Sequence, residues 1–244
     1  MLSLDKLYPQ LSYAQKNGLL EQLNSIYGGL PETACDRCGT CCTVPPPAYI
    51  VEYLNMFRYM KESLPDLIPG LLEKAVRFYF LELVDINLKC PFLGEDNLCL
   101  VYPVRPLSCR GYGLAKKENS FGERKEMEEL ARRYKEKYGI ILPGEIVDFK
   151  LPECGKVRIV DGRKASTELL EVAISYIAQL ESRLFPVELV DREYTFVPFV
   201  THLALTVLSE GARARRPKVM KEYLETGGSA ALDGFVGKAR SLTL

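Results

Sequence analysis

Seven of the eight cysteines in this chain fall into two blocks, and a deprotonated cysteine is a strong, soft metal ligand. Cys35, Cys38, Cys41 and Cys42 form a C-x2-C-x2-C-C run, and Cys90, Cys99 and Cys109 lie in the segment CPFLGEDNLCLVYPVRPLSCRGYG. Thiols this dense read as metal capture rather than core packing. The C-x2-C spacing lets two sulfurs turn onto one ion, because two intervening residues allow a tight loop whose amides face the sulfurs. C-x2-C-x2-C also supplies three corners of a cubane iron–sulfur cluster, the fourth coming from a remote cysteine, often one followed by proline. Cys90-Pro91 is such a cysteine. The ferredoxin spacing is met only in part, since Cys42 directly follows Cys41 and no cysteine comes three residues later.

Successive side chains point in different directions, so Cys41 and Cys42 are expected to serve different centres, or to leave one thiol spare or redox-active. Eight cysteines fill two four-thiolate sites on paper; one centre with the others unligated is equally allowed. Four thiolates on Zn2+ or on a cubane cluster leave a net charge of about minus two, which favours nearby amides and cations. Arg37, Arg105 and Arg110 stand beside the cysteines, and Gly39 and Gly111 let backbone amides approach sulfur closely. The leading expectation is an iron–sulfur cluster, 4Fe-4S first, with Zn2+ as the alternative, because both accept all-thiolate sites. The sole histidine, His202, lies in an apolar stretch and reads as a helix residue rather than a ligand.

The elements that must position these thiols are mostly helical. Residues 12–27 carry Leu19, Leu20, Leu23 and Ile26 at helical spacing, and Gly28-Gly29 with Pro31 stop that helix before the first cysteines. After Pro45-Pro46-Pro47, the stretch AYIVEYLNMFRYMKES sets Ile50, Tyr53, Leu54, Phe57 and Met60 on one face. A further helix follows Ser63, strongest over LLEKAVRFYFLELVD, with Pro69-Gly70 as a point of early breakage. The proline-rich stretch 90–112, with its Gly94-Glu95-Asp96-Asn97 turn signal, reads as a short hairpin or irregular loop. Residues 121–138 read as a highly charged helix, while EIVDFK and KVRIV read as two short strands with Cys154 on the turn between them. Residues 165–185 and 196–209 read as two more helices.

The fold class expected is therefore mainly α, with an irregular cysteine-rich subregion at 33–114 and at most a short β-hairpin, all within one domain over 1–244. Composition agrees: 47% apolar and 26% charged residues are ordinary for a globular protein. Thirty-two basic and thirty-two acidic residues cancel, so no global field draws the chain to nucleic acid or an anionic membrane. The local run ARARRPK at 212–218 reads as a solvated helix end. The N-terminus shows no basic-then-apolar leader and no apolar span nears membrane length, so a cytoplasmic location is expected. Thiols stay reduced there, which favours ligands over disulfides. Glycine-rich phosphate loops, G-x-S-x-G and H-E-x-x-H are all missing, so the sequence names no reaction.

Together the two blocks resemble the YkgJ family of cysteine-cluster proteins, which are zinc- or iron-chelating or iron–sulfur proteins. The likeness rests on CDRCGTCC at 35–42 and on CPFL, then CLVYPVRPLSCRGY, within 90–112. It implies that Cys35, Cys38, Cys41, Cys42, Cys90, Cys99 and Cys109 hold the metal; Cys154, added here as a further candidate ligand, lies outside the motif. A redox or protein partner would follow from an electron-transfer role. A looser similarity, confined to clustered cysteines, is to flagellin lysine methylases, which would imply an iron–sulfur protein-modifying enzyme; no strand-to-helix glycine turn is present to cradle its cofactor.

Overall fold

The computed structural model describes residues 2–114, 121–150, 152–184, 196–242 and 244. The chain opens with α1 (Leu4–Lys16) and α2 (Leu19–Gly28). These replace the single helix expected over 12–27, because Gly18 takes φ 65°, a left-handed conformation that ends α1 and turns the chain. Next come β1 (Thr33–Ala34), β2 (Pro47–Ala48) and α3 (Ile50–Ser63). α3 is buried on nearly every side, Ile50, Tyr53, Leu54, Met56, Phe57 and Met60 included. α4 (Ile68–Leu81) follows a single 3-10 turn. Pro69 sits in its first turn, where a missing N–H is harmless, so the Pro69-Gly70 pair starts this helix instead of breaking it.

The second half holds α5 (Leu107–Gly111), α6 (Phe121–Tyr138), α7 (Gly144–Val147), β3 (Arg158–Ile159) and α8 (Thr167–Leu184). It closes with β4 (Val197–Pro198), α9 (Phe199–Val207), α10 (Glu210–Arg213), α11 (Arg216–Thr226) and α12 (Ala230–Arg240). α4 packs against α9, α11 and α12, while α3 packs against α1, α2, α8 and α9. Phe80 of α4 stacks on Phe235 of α12 with ring centroids 5.2 Å apart. Phe92, from between the cysteines, stacks on Phe199 of α9 at 5.4 Å and is only 1% exposed, so the cysteine segment is pinned directly to the helical core.

Two antiparallel ladders of two residues each bracket the first cysteine block. β1 pairs with β3 in the register Thr33↔Ile159 and Ala34↔Arg158, and β2 pairs with β4 as Pro47↔Pro198 and Ala48↔Val197. The expected hairpin around Cys154 is therefore corrected: residues 144–147 are helical, and 158–159 pair with a strand more than a hundred residues earlier. A two-residue strand carries no alternation to read, so only its distant partner defines it. The hairpin expected within 90–112 reduces to one bridge, Leu93↔Cys99, closed by Gly94 N–H to Leu98 O at 2.8 Å.

Among the described residues, no helix is long and apolar enough to cross a membrane. The basic run at 212–218 is largely absorbed by the fold. Arg216 Nη2 lies 2.8 Å from Glu82 and its guanidinium sits over the Tyr79 ring, while Arg213 pairs with Glu210 at 3.6 Å.

Candidate metal centre

None of the eight cysteines is in a disulfide. Cys35 and Cys38 are exposed, Cys90 is buried, and the other five lie between. The first block is bent by two left-handed residues, Arg37 at φ 56° and Gly39 at φ 71°. That bend brings the Arg37 N–H to 3.4 Å from the Cys35 sulfur. Cys38 has the Thr40 hydroxyl at 3.2 Å and accepts the Thr40 amide as well. In the second block the Phe92 amide bonds the Cys90 sulfur and the Val101 amide bonds the Cys99 sulfur. Four cysteines from two separate segments thus share one local geometry: the N–H two residues on is turned to the sulfur. Such donors stabilise thiolate over thiol and tune the potential of a bound centre.

The blocks are joined through their backbones. Cys90 N–H donates to Cys42 O at 2.7 Å. A Cβ at Gly39 would stand 3.5 Å from Asn97 Oδ1 and 3.6 Å from Leu93 Cδ2, so the two loops pack with little space between them. Behind β1, Arg105 Nη2 donates to Thr33 Oγ1 at 2.9 Å, and the Arg105 guanidinium covers the Tyr102 ring. α5, which carries Cys109, is tied to β2 by Ser108 Oγ donating to Pro47 O at 2.8 Å. Cys109 therefore sits on a short helix rather than on the loop expected from sequence.

Two buried carboxylates serve the start of α3, Glu52 alone also tying it to α5, and sequence reading missed both. Glu52 of α3 accepts from the Tyr27 hydroxyl at 2.7 Å, from the Leu107 amide at 2.7 Å and from the Tyr49 amide at 2.9 Å. It serves the first turns of α3 and α5 together. Burial pushes its carboxyl up, opposed by those three donors. Glu181 of α8 accepts the Ile50 and Val51 amides at 3.1 and 2.9 Å, and burial raises it to about 7. The legible signal was Glu52 three residues after Tyr49, the spacing of a helix-capping glutamate, though tyrosine is not a capping residue.

Two of the sulfurs stand close together. Cys41 Sγ and Cys42 Sγ are 3.8 Å apart, so the neighbouring thiols share one environment instead of facing separate ones. Donation from Cys42 holds Cys41 low, at about 6, and pushes Cys42 far up. Burial raises Cys90, Cys99 and Cys109, and in each case the other cysteines raise it further. Arg105 acts against this, lowering Cys41, Cys99 and Cys109, and its buried Nε has no hydrogen-bond partner. Cys42, Cys90, Cys99 and Cys109 are thus held toward the protonated form beside a Cys41 that ionises readily, and a cation would offset the charge the others would carry.

Cys154 lies nearer than the motif suggested. The β1–β3 ladder brings its segment alongside Cys35, with Arg158 Nη2 at 3.3 Å from Asp36 Oδ1. The Tyr112 hydroxyl donates to Pro152 O. A Cβ on Gly113 would meet the Cys154 Cβ at 3.0 Å. The Tyr112 hydroxyl, raised first by burial, is raised further by Cys154, Cys41 and Cys38, so the eighth thiol borders the first block. His202 does not join them. Buried in α9, it stacks on Tyr53 and bonds Ala48 O through Nε2 at 2.9 Å, and burial depresses it to about 4. It is a neutral core residue that steadies β2.

Among the described residues, no three His, Cys, Asp or Glu side chains already stand close enough to hold an ion. The donor set nonetheless fits a thiophilic metal: the candidate ligands are thiols, preset amides face four of them, and among the described residues the Arg105 Nε–H has no hydrogen-bond partner beside the charge that thiolates would carry. The only strands described are two antiparallel ladders, so among the described residues no parallel strand-to-helix turn exists for a nucleoside cofactor. No curated protein and no solved structure matches the chain. Residues 34–129 match the family model CxxCxxCC, a putative zinc- or iron-chelating domain.

Proposed function

We propose that the chain binds its metal through cysteine thiolates as an iron–sulfur cluster, 4Fe-4S in type, and acts in a reducing cytoplasm as an electron-transfer component. The observation that carries this reading is the seam between the blocks. Cys90 N–H meets Cys42 O, and Cys41, Cys42, Cys90, Cys99 and Cys109 become electrostatic neighbours inside a half-buried pocket. Cys90-Pro91 and the C-x2-C-x2-C run are the ligand types such a cluster takes. A bound cluster supplies one-electron chemistry at a potential set by its surroundings. The residues hold and tune: amides of Arg37, Thr40, Phe92 and Val101 at the sulfurs, Arg105 against the anionic charge, Phe92 and Val101 excluding water. Cys35 and Cys38 reach the surface, where a redox partner would approach.

Anaerobic purification followed by iron, sulfide and zinc analysis, absorbance and electron paramagnetic resonance tests this. The expected protein is brown, absorbs near ~400 nm and contains iron and sulfide together. A colourless protein with stoichiometric zinc, and no iron or sulfide after reconstitution, would overturn it. The exposed C-x2-C turn around Arg37 and Gly39 favours that second reading, since two sulfurs on one bend suit a single Zn2+ in a structural site.

A further inference from the structure

A cleft of about 350 Å³ opens between α4 and the hairpin that carries Cys90 and Cys99. Its rim is basic: Lys74 and Arg77 from α4 and Lys89 from the loop before Cys90, opposed by Glu95 alone. Lys74 and Lys89 are exposed and in no ion pair among the described residues, whereas Arg77 is shared with Asp233 at 3.9 Å and lies in the field of Tyr223. The floor is apolar, made by Phe78, Leu88 and Leu93. Cys90 forms part of the wall. Among the described residues, the fold gives the Lys74 and Lys89 ammonium groups no ion-pair partner to account for their convergence.

We propose that this cleft binds a small organic polyanion, a polycarboxylate, and that a metal carried as its chelate enters the cysteine pocket past Cys90. Two lysines without ion pairs among the described residues, with Arg77 only loosely held by Asp233, outweigh Glu95 and select a ligand with several oxyanion groups. The apolar floor selects one with a carbon frame over inorganic phosphate, and the volume suits a small molecule rather than a protein surface. Cys90 places the cleft one residue from the sulfurs it neighbours, Cys99 and Cys41. Delivery, unlike binding, rests on the metal-binding reading above. In that exchange each new metal–thiolate bond replaces a metal–carboxylate bond, and the thiol proton leaves with the freed carboxylate, so no oxidant or reductant is required.

Isothermal titration of citrate into the full chain at low salt, with pyrophosphate as the inorganic arm, tests binding. Citrate binds more tightly than pyrophosphate, and Lys74→Glu with Lys89→Glu weakens citrate by about tenfold or more, whereas the remote charge control Lys16→Glu does not. Citrate heat absent, or equal in both proteins, overturns the site; so does preference for pyrophosphate. The second arm measures zinc uptake from free zinc and from zinc citrate. Delivery predicts that the lysine variants slow uptake from citrate alone. Slowing from both sources, or from neither, overturns delivery, and so does absence of zinc uptake from either source; citrate binding then stands on its titration, and the iron–sulfur reading on its own iron and sulfide analysis.

Discussion

Within α3 and α9 the buried polar groups answer one another: Tyr53 hydroxyl meets Thr206 Oγ1 at 2.8 Å, and His202 meets Ala48 O. Around the cysteines the arrangement is opposite, because buried thiols raise one another, and the Arg105 Nε–H has no hydrogen-bond partner among the described residues. The first region is complete in itself. The second has donors arranged for a charge that the protein does not supply. What the difference teaches is that the helical body folds by apolar burial and can position loops that have no packed core of their own, leaving a metal to complete them.

The largest effect that would sharpen this contrast comes from stripping the metal. Hydrogen exchange on loaded and chelated protein should show residues 35–42 and 90–111 exchanging about a hundredfold faster after chelation, since metal-binding free energy in such loops is folding free energy. Amides of α4 and α12 should keep their protection, because Phe80 and Phe235 stack on each other away from the cysteine segment. Cys99→Ser should imitate chelation locally and lower bound metal. Uniform loss of protection through all helices would break the contrast.

Glu52→Ala comes next, because Glu52 is where the two regions meet. Removing its carboxylate strands the Leu107 and Tyr49 amides and the Tyr27 hydroxyl in a buried site. At roughly 1–3 kcal/mol for each orphaned donor, a loss of about 3 kcal/mol or more is expected in denaturant unfolding. Metal affinity should fall with it, because α5 carries Cys109 and loses its anchor to α3. Stability lost with metal affinity unchanged would show that α5 is placed by Ser108 and Pro47 instead.

The same boundary separates what the sequence disclosed from what it withheld. Helices over 121–138 and near 165–185 and 196–209 were legible because their apolar or charged periodicity is local. His202 was equally legible as a helix residue, and it lies buried in α9. Gly18 was overlooked as a break because Leu19, Leu20 and Leu23 keep the helical period across it. The β1–β3 and β2–β4 ladders, which bracket the first cysteine block, lie beyond any local reading. Their residues carry no signal without partners at 158–159 and 197–198. Glu52 and Glu181 look like ordinary surface charges until the backbone amides they serve are in place.

The smallest effect isolates the body alone. Glu181 is raised to about 7 by burial, well above the roughly 4.3 of an unfolded glutamate, so the folded chain holds its proton over a range where the unfolded chain has lost it. Its contribution is therefore fully present below about pH 4.3 and is lost as pH climbs through about 7, with a span of order 3 kcal/mol. Glu181→Gln removes that dependence while keeping an oxygen for the Ile50 and Val51 amides. Stability of the natural chain relative to the variant should fall between pH 5 and 8, read from paired denaturant titrations. Taking the difference matters because His202, depressed to about 4, acts with the opposite sign and would flatten either curve alone. Since Glu181 joins α8 to α3 and touches no loop that bears a cysteine, bound metal should be equal in the two proteins at every pH; a difference there would show the body and the sulfur pocket to be one cooperative unit.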